Sequence, residues 1–218
     1  MRKNRTLQLL WQTVYCVLAL IGILCSIGYF DRAFNRNFFV YYTNLSNYIC
    51  AGIMLVSLVQ SYRKVRRGED GFCTTAPVLT FCSMILILIT FLVYTFILSD
   101  YTPLEYFTTL SNVLLHCLLP LLFFFHWLLF YEHGNMRWYH PLCCIIMPAV
   151  YVLFIVIRAP IAKGNPGMDV WPYFFLDMDA LGVGGFFRWI GILFVAFMGM
   201  TYIFYGLDKL WKRFRKKD

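Results

Sequence analysis

An asparagine, a histidine and a proline follow one another at intervals of four in a strongly apolar stretch, as Asn112, His116 and Pro120. This spacing places side chains on one face of a helix. A neutral imidazole on that face can take a proton from a nearby hydroxyl group, as a general base does. Ionisable groups inside a bilayer point to function, although a single histidine on an apolar helix is as often a packing residue. Because Pro120 has no N–H, we expect the main-chain carbonyl of His116 to lack its α-helical partner.

Hydroxyl and amide side chains occur in an earlier copy of the same stretch. The pattern Y-x-T-x-L-S-N starts at position 41 and again 65 positions later, and a weaker copy starts 67 positions further on. The repeat predicts three helical hairpins in tandem, each with a polar cluster near one end. Thr43, Ser46 and Asn47 belong to the first copy. Such groups either form hydrogen bonds between helices, each of which stabilises the bundle by about 0.6 kcal/mol on average, or form a functional site.

Aligning the copies has two consequences for His116. It corresponds to Ala51 of the first copy, so the histidine is an addition to the repeat. If the copies lie level, Thr43 corresponds to Thr108, which is eight residues from His116, or roughly 12 Å along a helix. A hydrogen bond between Thr43 and His116 needs roughly 2.6–3.2 Å and therefore requires the fourth helix to shift or tilt.

Charged side chains near the predicted helix ends have structural explanations beside functional ones. Asp177 and Asp179 precede the last helix, where a carboxylate complements the helix dipole. Asp177 could instead orient His116 as the third member of a catalytic arrangement. Arg158 and Arg188 lie near helix ends, where arginine usually snorkels to the membrane surface. The alternative for both arginines is a clamp on an anionic substrate head group.

The composition shows that lipid surrounds most of these groups. Hydrophobic residues make up 61% of the 218 residues and charged residues 14%, which is more apolar than a soluble domain. One all-α domain over residues 1–218 is expected, a bundle of six transmembrane helices with His126, His133 and His140 near the membrane surface. The first run lacks a signal-peptide cleavage site, so we expect a retained helix. Six runs are long enough to cross roughly 30 Å of hydrocarbon: residues 7–30, 39–62, 77–98, 105–131, 140–161 and 183–206.

The basic residues predict the orientation of this bundle. The net charge is +8, and Lys and Arg cluster at the N-terminus, between the second and third runs, and at the C-terminus. Cytoplasmic segments carry such an excess, so we expect both termini in the cytoplasm. No base-reading motif accompanies the charge, so the expected partner is the lipid bilayer rather than nucleic acid. The eight cysteines lack metal-ligand spacing; we expect small buried hydrophobes, with no metal and no cofactor.

Three short motifs resemble those of a known membrane protein family. They are T-x-x-S-N at Thr43, H-x-x-x-P at His116 and Y-x-F-L-D ending at Asp177. Together they resemble, over nearly the whole chain, the androgen-induced-gene and androgen-dependent TFPI-regulating proteins and their bacterial relatives. Animal members are threonine hydrolases that cleave fatty acid esters of hydroxy fatty acids. The resemblance implies a bacterial cell membrane, with Thr43 and His116 as catalytic residues. Ser46 stands where the animal proteins carry a charged residue.

Two functions from different classes remain open. In an intramembrane lipid hydrolase, Thr43 attacks an ester while His116 takes its proton. Asn47 and Asn112 then donate hydrogen bonds to the oxyanion. In a non-enzymatic lipid-binding, transport or sensory protein, the same polar cluster holds a ligand. An enzyme needs Thr43 and His116 in contact, whereas a binding protein does not. The oligomeric state stays open.

Overall fold

The structure is a computed structural model that describes residues 5–69, 71–98 and 108–215. It is 77% helix and contains no strand within those ranges. All six long helices are apolar enough to cross a membrane, which confirms the predicted class of all-α, multi-pass membrane protein. The helices are α1 Arg5–Ile27, α2 Tyr42–Arg66, α3 Pro77–Leu98, α4 Leu110–Phe130, α5 His140–Lys163 and α6 Met178–Arg215.

α1 ends three residues before the predicted apolar run does, and a glycine explains why. Gly28 adopts a φ of 82°, in the left-handed region that side chains with a Cβ avoid. A Cβ at this position would lie 1.9 Å from the Ala33 carbonyl oxygen. The chain therefore turns at Gly28 although its sequence stays apolar to residue 30.

α2 and α6 extend beyond their apolar runs, so the predicted ends at 62 and 206 are too early. α2 continues to Arg66 with basic residues in its last turn, which complement the negative end of the helix dipole. α6 starts at Met178 and continues into the basic tail as far as Arg215. The predicted start of the fourth helix at residue 105 lies outside the described residues.

Several helices depart locally from α geometry. A π-helical segment forms the end of α3, Tyr94–Leu98, and another lies in α4, Val113–Leu118. α5 opens with a 3-10 turn, His140–Ile145, and α6 is kinked at Gly182, with φ 65° and ψ 171°. Each π segment inserts one extra residue into the helical hydrogen-bond ladder. Such segments are frequent at functional sites.

Four helices form a ring at the centre of the molecule. α1 and α3 each pack against both α2 and α4, while α5 and α6 lie outside this ring. The first turn of α5 contacts α3 and α6, and α6 also contacts α3. Large side chains such as Tyr15, Leu119 and Phe123 fill the ring and are fully buried. We call the end where α2, α4 and α6 begin the Thr43 end, and the opposite end the Asp208 end.

At the Asp208 end, side chains fasten two loops to helices. Gln8 exchanges two hydrogen bonds, of 2.8 and 3.0 Å, with the main chain of Cys73. The buried Asp208 lies 2.9 Å from His133 Nδ1 and accepts the Gly134 N–H at 2.9 Å. His133 was expected near the membrane surface without a specific contact; its buried partner is a carboxylate 75 residues away in sequence.

At the Thr43 end, Asp169 fastens the loop between α5 and α6 over the start of α2. Its carboxylate accepts a 2.6 Å hydrogen bond from the Tyr41 hydroxyl. Its N–H donates to Asn37 Oδ1 at 3.1 Å, and its carbonyl accepts from Arg158 Nη1 at 2.6 Å. This loop therefore closes the bundle above α2.

Candidate functional site

A cavity of about 440 Å³ lies between α2 and α3 on one side and α5 and α6 on the other, towards the Thr43 end. The described residues that form its wall are almost wholly aliphatic and aromatic, and none of them is charged. The polar groups that these residues contribute are five hydroxyls, those of Tyr42, Thr43, Thr90, Tyr151 and Tyr173. This lining suits an apolar molecule that carries a small polar group at one end.

Thr43 is buried in the first turn of α2 and contributes its side chain to the cavity wall. Tyr173, from the loop before α6, lies beside it. Desolvation raises the pKa of the Tyr173 phenol, and a hydrogen bond with the Thr43 side chain opposes that rise. Thr43 and Tyr173 thus form the polar end of the cavity. Tyr173 is the first residue of the third and weakest copy of the sequence repeat. That repeat is the feature of the sequence that could have identified Tyr173 as a site residue.

Ser46 holds α2 against α3. Its hydroxyl donates to the Thr43 carbonyl at 2.9 Å and lies 3.1 Å from the hydroxyl of Thr90. Ser46 is fully buried and does not line the cavity. These contacts give Ser46 the helix-joining role that was one of the two alternatives for the repeated hydroxyl groups.

Asn47 satisfies a main-chain carbonyl that the π segment of α4 exposes. The Leu119 N–H bonds the carbonyl of Leu114 instead of that of Leu115, and Pro120 has no N–H to offer. The carbonyl left over is therefore that of Leu115, and Asn47 Nδ2 donates to it at 2.9 Å. The sequence pointed to the carbonyl of His116, and the π segment adds that of Leu115, which α-helical spacing does not predict.

His116 lies in the same π segment and stacks on Tyr94, with ring centroids 3.9 Å apart and an interplanar angle of 24°. Tyr94 begins the π segment of α3, so the two irregular segments meet at this ring pair. His116 Nδ1 is buried and has no hydrogen-bond partner among the described residues. Asn112, one turn earlier on α4, is also buried.

Thr43 and His116 are not joined by a hydrogen bond. The amide of Asn47 donates to the carbonyls of Thr43 and Leu115 at 2.8 and 2.9 Å. Level repeats would place Asn47 beside Asn112, so the observed register of α4 differs from level repeats by three residues, or roughly 4.5 Å, in the direction that contact requires. This register leaves His116 five residues, or roughly 7.5 Å, deeper than Thr43 and outside the cavity wall.

Asp177 is the N-cap of α6. Its Oδ1 accepts the N–H groups of Asp179 and Ala180, both at 3.0 Å. No hydrogen bond connects it to His116, so the capping alternative describes its observed contacts. Asp179 in turn accepts from Lys163 Nζ at 2.7 Å and from Trp171 at 2.8 Å.

The two arginines considered for an anionic head group differ in exposure. Arg158 is buried and donates to the main chain of Asp169. Arg188 is exposed on the first half of α6. Neither lines the cavity, so the structure does not bring them together with Thr43 or His116.

A second polar pair inside the ring is formed by Gln12 and His126, whose Nε2 atoms lie 3.3 Å apart. Both side chains are buried, so His126 packs inside the protein. The sequence held no signal for this contact, because the partners are 114 residues apart. No group of three metal-ligating side chains occurs in the part of the chain that the structure describes.

No family model, no curated protein and no solved structure matches this chain.

Proposed function

We propose that this chain is a membrane protein that holds the acyl chain of a lipid in the cavity between α2, α3, α5 and α6, with Thr43 at the polar end. The observation that carries the proposal is the lining, which is apolar except for hydroxyl groups. A volume of about 440 Å³ falls within the roughly 300–1,000 Å³ of small-molecule sites.

Entry from the bilayer is part of the proposal. The loop held by Asp169 covers the Thr43 end. α6, which forms one wall of the cavity, has most of its side chains facing outward. A lipid chain can therefore reach the cavity from the side, past α6, without leaving the hydrocarbon.

We further propose the orientation expected from the sequence, with tandem hairpins, both termini in the cytoplasm and a bacterial cell membrane as the location. The Asp208 end carries the basic last turns of α2 and α6, including Arg63, Lys64, Lys209 and Lys212. Such an excess of basic residues is typical of the cytoplasmic side. Cysteine labelling from each side of sealed vesicles tests this orientation.

The binding proposal is tested with a photoactivatable fatty acid and the purified protein in lipid nanodiscs. Val152→Phe places a ring at a position that lines the cavity, and Leu153→Phe adds the same ring at the exposed neighbouring position of the same helix. We expect Val152→Phe to weaken binding about tenfold, or about 1.4 kcal/mol, and Leu153→Phe to leave it unchanged. Equal binding by both variants would exclude this cavity as the site.

Ester hydrolysis is the second candidate function, and the displacement of α4 towards Thr43 favours it. In this reaction the Thr43 hydroxyl attacks the ester carbonyl, and His116 takes the proton and returns it to the leaving alcohol. Water then cleaves the acyl-threonine. The step requires His116 to leave its stack on Tyr94 and to close an axial offset from Thr43 of five residues, or roughly 7.5 Å.

Labelling by a fluorophosphonate probe separates this candidate from binding alone. We compare the wild type with Thr43→Ala, His116→Ala and the control Thr13→Ala, whose hydroxyl bonds its own helix at the carbonyl of Leu9. A hydrolase requires labelling that the first two changes abolish and the third preserves. Labelling that survives Thr43→Ala rules out Thr43 as the nucleophile.

A further inference from the structure

Two buried cysteines face each other between α3 and the first turn of α5. Cys144 donates a hydrogen bond to Cys82, and their sulfur atoms lie 3.2 Å apart. No other pair of cysteine sulfurs is in hydrogen-bond contact within residues 5–69, 71–98 and 108–215. The general expectation that the cysteines are small hydrophobes therefore omits a specific feature of this pair.

A second cavity, of about 570 Å³, reaches this pair. Cys82, Cys144 and the exposed Cys143 all line it, and the remaining wall is almost entirely apolar. The side chains at its rim include Leu79 and Ile146, which are exposed on the surface that faces the bilayer. An apolar molecule dissolved in the hydrocarbon can therefore reach the sulfur atoms. A polar molecule would lose its hydrogen bonds to water on entering the cavity.

We propose that this second cavity admits an apolar hydroperoxide, of the kind that oxidised acyl chains carry, and that Cys82 and Cys144 reduce it by forming a disulfide. A thiolate attacks the terminal peroxide oxygen, the O–O bond breaks, and the alcohol leaves with a proton. The resulting sulfenic acid is attacked by the second thiol, which forms the S–S bond and releases water. Two thiols are oxidised by two electrons, and the hydroperoxide becomes an alcohol and water.

The geometry allows the two sulfur atoms to act in turn. They lie 3.2 Å apart, so whichever sulfur attacks the hydroperoxide has the second thiol beside it to resolve the sulfenic acid. A disulfide of about 2.05 Å requires the sulfur atoms to approach by roughly 1.2 Å, which is a small movement between elements already in contact.

The disulfide joins α3 to α5, and the same two elements form walls of the Thr43 cavity through Thr90 and Tyr151. Oxidation therefore fixes the separation of these walls. The proposal itself does not depend on which molecule the Thr43 cavity binds.

The test uses the full chain in lipid nanodiscs and cumene hydroperoxide as the apolar probe. Its concentration is raised until the exposed Cys143 is oxidised, the remaining thiols are blocked with N-ethylmaleimide, and the protein is digested for mass spectrometry. We expect a peptide pair joining Cys82 to Cys144 that disappears on reduction, with one equivalent of cumyl alcohol per cross-link in addition to the alcohol accounted for by oxidised Cys143. Cys117→Ser, a matched control away from the pair, keeps the cross-link, and Cys144→Ser loses it.

Two results overturn the proposal, and both are read on the wild type, so that folding of a variant does not enter. In the first, Cys143 is oxidised while Cys82 and Cys144 remain free thiols that react with N-ethylmaleimide after unfolding. In the second, hydrogen peroxide at equal concentration forms the cross-link as fast as cumene hydroperoxide, which removes the role of the apolar cavity.

Discussion

The side-chain amide of Asn47 lies 2.9 Å from the carbonyl oxygen of Leu115 and supplies the hydrogen bond that the α4 backbone does not. The same amide also bonds the Thr43 carbonyl at 2.8 Å. One side chain thus sets the register between α2 and α4, and with it the depth of His116 relative to Thr43.

Replacing Asn47 leaves a buried carbonyl without a partner in a chain that crosses lipid. We expect Asn47→Leu to lower the free energy of unfolding by about 1–3 kcal/mol, measured by denaturation in detergent micelles. Pro120→Ala restores an N–H at a position that can reach Leu115 in a π segment. The effect of Asn47→Leu should therefore be at least halved in the Pro120→Ala background. An equal effect in both backgrounds would show that the Leu115 carbonyl does not need Asn47.

The buried pair of Asp208 and His133 should be among the strongest single contacts of the Asp208 end. Asp208→Ala leaves the buried His133 ring nitrogen and the Gly134 N–H without their acceptor, and each unsatisfied buried group costs about 1–3 kcal/mol, so we expect a clear destabilisation by thermal unfolding. Asp179→Ala removes a carboxylate from the exposed ion pair with Lys163 and should change stability little. Similar melting temperatures for the two variants would contradict the importance of burial here.

The capping carboxylate of Asp177 allows its structural role to be separated from a catalytic one. Asp177→Ala removes an N-cap and should destabilise the protein by about 1 kcal/mol, while Asp177→Asn keeps an acceptor oxygen and should be nearly neutral. We expect fluorophosphonate labelling, where the wild type shows it, to be unchanged in Asp177→Asn. Loss of labelling in that stable variant would instead indicate that the carboxylate acts on His116.

Two glycines with different environments should respond in opposite directions to alanine. Gly28→Ala places a Cβ 1.9 Å from the Ala33 carbonyl oxygen at a positive φ, so we expect a clear fall in melting temperature. Gly52→Ala meets no atom within 4 Å on helix α2 and should be neutral or stabilising by up to about 1 kcal/mol. An unchanged melting temperature in Gly28→Ala would show that the turn after α1 does not require a residue with positive φ at position 28.

Hydropathy and charge were sufficient to predict the number of helices and the membrane class, because both depend on composition averaged over about 20 residues. Local irregularities were not accessible in this way. Pro120 indicated a missing hydrogen bond, but the carbonyl that lacks it depends on a π segment that no hydrophobic pattern encodes. The stack of His116 on Tyr94 follows from that segment and was missed with it.

Contacts between residues far apart in the chain were the second feature that could not be predicted from the sequence. His133 lies near a predicted helix end, where side chains are usually exposed. It is buried because it contacts Asp208, which lies on α6 beyond the end of the apolar run. The sequence selected Ser46 and Asn47 as polar positions of interest. Their division into a helix-joining hydroxyl and a carbonyl-binding amide needed the positions of α3 and α4.

The outward-facing α6 links the interior of the protein to its surroundings. In its apolar span only 11% of residues are buried in protein, compared with 56% in α3. In a bilayer we therefore expect acyl chains to be the main packing partners of α6, and its tilt to adjust to the thickness of the hydrocarbon layer. Because Ile190 and Phe197 of α6 line the Thr43 cavity, a change in that tilt would change the space inside. We therefore expect the capacity of the cavity to depend on the thickness and lateral pressure of the membrane.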